Sequence, residues 1–217
     1  MPLFQTQQIN PHTVLGIWQA DEPLEELLSL LPAHVDCSQI AQVHDKRKKE
    51  WLASRVLVYT LLKQFTPADA VLTKDAFGKP YFEGLQLYVS ISHSPSLAAV
   101  ILSDKYEVGI DIEQLSQKAL RVASKFLNEA EKKYTALNEN QTCLYWSAKE
   151  TLYKLYGRKQ LIFKDNLILS PGSEQNILEG CIKTAEISKL YQIKYDFLQN
   201  HVLTYCTNEI QAKRTNT

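Results

Sequence analysis

Val108-Gly109-Ile110-Asp111-Ile112-Glu113 sets the reading of the whole chain. The six residues alternate in character, and along an extended strand successive side chains point to opposite faces. Val108, Ile110 and Ile112 therefore share one face, and Gly109, Asp111 and Glu113 share the other. The apolar face goes to a core. The second face carries two carboxylates about 6.6 Å apart along the strand, beside a glycine that lets another group approach closely. Two carboxylates at that spacing resist joint ionisation unless a cation sits between them. Taken alone, the strand fits either a solvated polar face or one wall of a divalent-metal site.

The same apolar-Gly-apolar triplet occurs earlier. Leu15-Gly16-Ile17 precedes Trp51-Leu52-Ala53 by 35 positions, counted from Gly16 to Trp51, and Val108-Gly109-Ile110 precedes Trp146-Ser147-Ala148 by 37, counted from Gly109 to Trp146. Around these anchors the order of elements repeats. The first half predicts a strand over 13–18, an apolar-periodic stretch over 23–31, a long helix over 45–65 and strands near 71–72, 86–92 and 97–102. The second predicts a strand over 107–113, a helical stretch over 116–127, a longer helix over 141–156 and strands near 161–169, 191–198 and 201–206. Period-2 alternation supports the strands, and apolar residues at three- and four-residue intervals support the helices. The expected fold is α+β, a pseudo-twofold duplication of two similar α+β subdomains, 1–104 and 105–217, joined near 104–106. Ligand sites favour the seam between such halves.

Composition limits the function classes. The 217 residues are 45% hydrophobic, and 24 Lys plus Arg balance 24 Asp plus Glu, so no bulk charge draws the protein to nucleic acid or to a membrane. Any anion site must be local. Cys37, Cys143, Cys181 and Cys206 are scattered, without zinc-ligand spacing, and read as reduced, packed thiols. Residues 1–10 lack the basic and apolar regions of a leader, and no stretch approaches the roughly 18 apolar residues of a membrane span. The cytoplasm is the expected compartment.

Three further stretches carry chemistry. Tyr145-Trp-Ser-Ala-Lys-Glu-Thr-Leu-Tyr-Lys154 places Glu150 and Lys154 at i and i+4, with Trp146 one turn earlier; Gly157 ends this helix, followed by Arg158 and Lys159. Lys74-Asp-Ala-Phe-Gly-Lys-Pro80 presents Lys79 from a stiff turn, with Gly78 permissive and Pro80 fixing the exit. Ser90-Ile-Ser-His-Ser94 ends a strand in small donors able to receive phosphate oxygens. Each stretch by itself also fits an ordinary turn or a solvated helix face.

Together, in this order, Gly-Lys-Pro, Ser-Ile-Ser-His-Ser, Val-Gly-Ile-Asp-Ile-Glu and Trp-Ser-Ala-Lys-Glu-x-x-x-Lys strongly resemble the 4′-phosphopantetheinyl transferase superfamily, in its two-half, surfactin-synthetase-activating type. The resemblance implies transfer of phosphopantetheine from coenzyme A to a serine of an apo acyl or peptidyl carrier protein. It implies Asp111, Glu113 and Glu150 as ligands of magnesium, or of manganese in its place, which suits a hard cation that takes a few carboxylates plus phosphate oxygens. Lys149 and Lys154 would face the coenzyme A phosphates, Asp111 would also lie against the cofactor, and Glu150 and Lys154 would be catalytic. Lys74, Gly78, Lys79 and Pro80 would contact the nucleotide, and Ser92 and His93 the phosphates. An acidic carrier helix is expected near Lys118, Arg121 and Lys125.

The chain departs from the family in one respect. Members usually carry a basic residue before the first long helix, and 35–42 holds no Lys or Arg. The run 46–49 and Arg55, the first-half counterpart of Glu150, are the candidate replacements. The competing reading is a superfamily member that binds coenzyme A or nucleotide without turning it over. The expected state is a monomer.

Overall fold

Residues 3–158 and 160–208 are described by a computed structural model of the chain; Lys159 lies outside the described residues. The first half comprises strands β1 (Leu3–Asn10) and β2 (Thr13–Gln19), helix α1 (Leu24–Ser29), a 3₁₀ turn (Ser38–Ile40), helix α2 (Asp45–Leu62) and strands β3 (Leu72–Lys74), β4 (Pro80–Phe82), β5 (Tyr88–His93) and β6 (Leu97–Ser103). The second comprises β7 (Val108–Gln114), α3 (Lys118–Phe126), α4 (Glu129–Thr135), α5 (Glu139–Tyr156), α6 (Phe163–Asn166), β8 (Leu167–Pro171), β9 (Ile177–Lys183), β10 (Ser188–Leu198) and β11 (His201–Thr207).

Two antiparallel sheets result, ordered β1-β2-β6-β5-β4-β3 and β7-β11-β10-β9-β8. With the edge strand β1 set aside, both follow one plan. Within each half the first strand pairs with the fifth, the fifth with the fourth, and so on to the second, and the long helix enters between the first strand and the second. The two triplet glycines mark the equivalence. A Cβ on Gly16 would press on Leu57 and Leu61 of α2, and one on Gly109 would collide with the Thr151 carbonyl and meet Leu155 of α5. In each half, absence of a side chain is what lets the long helix lie close against the strand.

Burial follows the strand alternation. One core packs α2, through Leu52, Leu57 and Leu61, onto Val14, Trp18 and Val100. A second packs Leu144, Ala148 and Leu152 of α5 onto Leu169, Ile193 and Val202. The third joins the halves: Leu15, Ile17, Leu97, Ala99 and Ile101 meet Val108, Ile110, Ile112 and Leu203. The apolar face of β7 thus lies in the layer between the sheets, which leaves its other face for α5. Each of the Val, Leu and Ile side chains contributes about 1.5–3 kcal/mol on burial, so the seam is held by core rather than by a linker.

The ends of α5 carry ordinary stop signals. The Asn138 side chain accepts from the N–H groups of Asn140 and Gln141, and Gly157 closes the helix at φ 67°, a left-handed cap that glycine adopts without strain.

Some elements differ from the sequence expectation. The strand near 161–169 begins only at Leu167, because 163–166 closes into α6, where the Ile162 N–H donates to the Asn166 side chain at 2.7 Å. Phe163 is drawn against Trp146 and Tyr153, a tertiary contact that overrides strand propensity. Strands β1, β4 and β9 and helix α4 were not anticipated. For α4 the signal was present: Asn128 and Glu131 form a reciprocal capping box, the Asn-x-x-Glu pattern of a helix start. β1 is rich in Gln and is fixed by pairing with β2. No helix of the described residues is long and apolar enough to cross a membrane, and all four cysteines are free.

Candidate active site

Asp111 is the centre of the site. It lies on the α5 side of β7, two residues beyond Gly109, and is 3% exposed. Its Oδ1 accepts from the Lys154 ammonium at 2.7 Å and from the Ser92 hydroxyl at 2.8 Å, whereas its buried Oδ2 has no partner. The two donors come from different halves, Lys154 from α5 and Ser92 from β5. Ser90, on the same strand as Ser92, accepts from the Ile110 N–H at 3.1 Å. The seam is therefore stitched beside the acid.

Glu113, next along the same face, accepts from the Trp146 indole at 3.0 Å. That ring is itself fixed edge-on by Phe126 and flanked by Phe163. Burial pushes the Glu113 carboxyl above the usual carboxylate range, and the charge of Asp111 adds to this. Glu150 on α5 is pushed up further, to about 7, first by burial and then by Asp111, with Glu113 contributing and Lys154 opposing. Three carboxylates thus feel one another across the β7–α5 gap, as expected where acids share a partly desolvated site. Among the described residues, no three His, Cys, Asp or Glu side chains are gathered as a metal-binding group as they stand. The cation neutralising Asp111 here is Lys154, which pairs with it rather than with Glu150.

Lys149 corrects the sequence reading. It was expected to face coenzyme A phosphates, but it is fully buried within the second half. Its ammonium donates to the Phe126 carbonyl at 2.6 Å, to Glu131 at 2.8 Å and to the Phe163 carbonyl at 3.0 Å. All three of its donors are thereby used. The physical reason is helical geometry: adjacent residues point about 100° apart, so with Glu150 turned to β7, Lys149 is turned into the core beneath α4 and α6.

Beside the acid cluster lies a cavity of about 270 Å³ lined by both halves. Arg55 and Trp51 of α2, the 74–80 turn, Ser90 and His93 of β5, and Tyr153, Lys154 and Arg158 of the α5 end contribute to it, and no Asp or Glu is among its lining residues. A neutral protein has here concentrated positive charge in one place. The turn is built by Asp75, whose carboxylate accepts from the N–H groups of Phe77 and Lys79 at 2.8 and 2.9 Å, while Gly78 supplies φ 91°. Lys74, Gly78, Lys79 and Pro80 all line the cavity. The Lys79 ammonium, however, also donates to the Leu155 carbonyl at 3.0 Å, which ties the turn to the last turn of α5.

Arg55 stacks on Trp51 at 4.7 Å, and burial lowers its pKa. A guanidinium held against an indole in a wall of one sign is a ready anion partner. His93 sits 3.5 Å from Glu50; burial lowers its pKa, Glu50 opposes this, and Lys154, Arg47 and Arg55 lower it further. Within the run 46–49, Lys48 pairs with Asp45 and Lys49 donates to the Asp21 carbonyl, and the charge of Arg47 acts on His93. Trp51, Glu50, Tyr153 and Arg158 were not among the expected site residues. Trp51 and Arg55 are one helical turn apart, a spacing that was available; Glu50 had no sequence signal.

Two neighbouring cavities complete the surroundings. One of about 370 Å³ shares Trp51, Arg55, Lys74 and Pro80 and adds His34, Asp36, Gln39 and Tyr59. The other, about 310 Å³, opens beside Glu113 between Pro95, Lys118, Ala119, Val122, Cys143 and Trp146.

Comparison with known proteins points to one family over most of the chain. A model described as the 4′-phosphopantetheinyl transferase superfamily matches residues 107–206, and one described as the 4′-phosphopantetheinyl transferase N-terminal domain matches residues 36–103. The chain is 32% identical over 123 residues to the 4′-phosphopantetheinyl transferase AcpT of Salmonella typhi and to that of Salmonella typhimurium, covering 54% of this chain and 58% of each relative. It is 26% identical over 115 residues to the 4′-phosphopantetheinyl transferase gsp of Aneurinibacillus migulanus, covering 51% of this chain and 48% of that one. The chain thus spans about half the length of the curated relatives it matches.

Proposed function

Because the chain belongs to the 4′-phosphopantetheinyl transferase superfamily, we propose that it moves the 4′-phosphopantetheine group of coenzyme A onto a serine of an apo acyl or peptidyl carrier protein. The observation that carries this reading is the adjacency of a carboxylate-free basic cavity and a cluster of three acids, with Lys154 belonging to both. A pyrophosphate needs such a pairing of cationic wall and acidic cluster, since transfer at phosphorus is governed by positioning and charge stabilisation.

In this reading Arg55, Lys74, Lys79 and His93 hold the adenosine bisphosphate end, and Lys154 stabilises the leaving oxygen. The carrier serine forms a new bond to the β-phosphorus, the bond from that phosphorus to the bridging oxygen breaks, and adenosine 3′,5′-bisphosphate departs. The serine proton passes to Glu150 as general base. Asp111, Glu113 and Glu150 would hold magnesium, or manganese, which when bound neutralises pyrophosphate charge. Their chemistry fits such an ion. Asp111 Oδ2 is buried without a partner, and the Glu113 and Glu150 carboxyls, raised first by burial and then by the neighbouring acids, are ones whose charged form a divalent cation would favour. The groove beside Glu113, with Lys118 on its rim, is where we place the carrier, Arg121 and Lys125 following along α3. We further place the enzyme in the cytoplasm as a monomer, with no nucleic-acid or membrane partner.

The test is to incubate the protein with coenzyme A, Mg²⁺ and a panel of apo carrier proteins and to follow carrier mass. A phosphopantetheine-sized gain supports the reading. Bound coenzyme A with no gain on any carrier identifies a binding protein instead.

A further inference from the structure

His93 lines the basic cavity, and its Nδ1 is turned to a carboxylate, Glu50 Oε2, at 3.5 Å. Glu50 lies on α2, one position before Trp51, and its side chain is only 13% exposed while the His93 ring is 41% exposed. A carboxylate so shielded, placed behind a more open imidazole at the edge of an otherwise cationic cavity, is costly unless it has a purpose. Close to a bound polyanion it repels the ligand. Opposing that, a carboxylate at Nδ1 fixes which ring nitrogen keeps a proton and leaves Nε2 as the nitrogen available to the cavity.

We propose that Glu50 is a positioning residue that holds His93 by Nδ1, so that binding of the coenzyme A phosphates at Nε2 is coupled to uptake of a proton by the Glu50–His93 pair. The inference rests on the reading of the cavity as the coenzyme A site. With Nδ1–H directed to Glu50, a neutral His93 offers only a lone pair at Nε2, which a phosphate oxygen cannot use. Adding one proton makes both nitrogens donors, one to Glu50 and one to phosphate, and Glu50 balances the new charge. The charged groups around the ring are Glu50, Arg47 and Arg55 from α2 and Lys154 from α5. Burial first, and then the three cations, disfavour the charged ring, whereas Glu50 favours it. Glu50 thus sets how readily the ring charges when an anion arrives.

Two physical effects of removing Glu50 have opposite signs and different pH dependence. Loss of repulsion tightens binding at every pH. Loss of support for the imidazolium weakens it only where His93 must gain its proton to bind, above the pH at which the free ring is already charged. Glu50→Gln is therefore expected to bind coenzyme A at least as tightly as the parent at pH 5.5 and about 5- to 10-fold more weakly at pH 7.5, a change of up to one pK unit in the linked proton.

The experiment is isothermal titration calorimetry of the full chain with coenzyme A, from pH 5.5 to 8.5, in buffers of different ionisation enthalpy to count protons taken up. Parent, Glu50→Gln, Glu50→Asp, His93→Gln and doubly substituted Glu50→Gln/His93→Gln proteins are compared, and the readout does not require turnover. Proton uptake reduced by Glu50→Gln and by His93→Gln, partly restored by Glu50→Asp, and insensitive to Glu50→Gln once His93 is absent supports the proposal. A parallel shift in affinity at all pH values, with unchanged proton uptake, overturns it. If Glu50→Gln does not fold, unchanged uptake in His93→Gln alone overturns it equally. Carrier modification by the parent, measured separately, tests the transferase reading; normal transfer with an inert Glu50 sinks only the present inference.

Discussion

Glu150→Gln is expected to make the metal-free protein more stable while ending transfer. The Glu150 carboxyl sits at about 7 against an ordinary 4.5, and its first cause is burial of the charge. Below the ordinary value the acid is protonated both folded and unfolded, and burial costs nothing. Between about 4.5 and 7 the unfolded chain ionises while the folded one resists, so stability falls as pH rises, and above 7 the full cost is present. The difference of 2.5 pH units corresponds to about 3 kcal/mol, and solvent screening of this half-buried group reduces it to roughly 2 kcal/mol. Gln reproduces the protonated acid at every pH. In EDTA at pH 8, thermal unfolding of Glu150→Gln should therefore occur roughly 4–8 °C above the parent, and at pH 4.5 the two should coincide. Millimolar Mg²⁺ should raise the parent and not the variant, narrowing the gap. A variant no more stable than the parent at pH 8 in EDTA would refute the placement of an ionised Glu150 in a repulsive, desolvated acid cluster.

Lys149→Met strands the buried Glu131 carboxylate and two carbonyls, and should cost about 3–5 kcal/mol by urea titration, with coenzyme A affinity of the folded protein changed less than twofold. Weakened binding at unchanged stability would return Lys149 to the ligand. Gly109→Ala forces a methyl group into the Thr151 carbonyl and should lower stability by 3 kcal/mol or more on an order-of-magnitude scale while abolishing transfer, since α5 must back away from β7. Gly78→Ala meets nothing within 4 Å and bears only the left-handed penalty of about 1–2 kcal/mol; equal losses at the two glycines would contradict the close-approach argument. Trp146→Phe removes the donor to Glu113, a bond to a charged group of about 1.5–3 kcal/mol, and should raise the Mg²⁺ concentration for half-maximal transfer. An unaltered metal dependence would detach Glu113 from the metal.

Much of the arrangement was written locally. Strand alternation alone assigned Asp111 and Glu113 to one face and Val108, Ile110 and Ile112 to a core, because the side-chain period of a strand is fixed at two. The repeated apolar-Gly-apolar triplet, with an aromatic helix at nearly constant spacing, marked the duplication, because a helix can press on a strand only where a side chain is missing. Caps at Asn138 and Gly157 bounded α5 for equally local reasons. Tertiary structure decided what each polar group meets. Helical periodicity states that Lys149 and Glu150 face different ways, but not which of them faces the cleft, and the answer came from Glu131, Phe126 and Phe163 converging on the ammonium. Likewise Lys154 reaches Asp111 rather than its i−4 neighbour, and Ser92 and His93 reach acids 19 and 43 positions away in sequence, Asp111 and Glu50. Sequence fixes the direction of a side chain relative to its own backbone. Its partners, and hence its charge state, follow only when the two sheets close on each other.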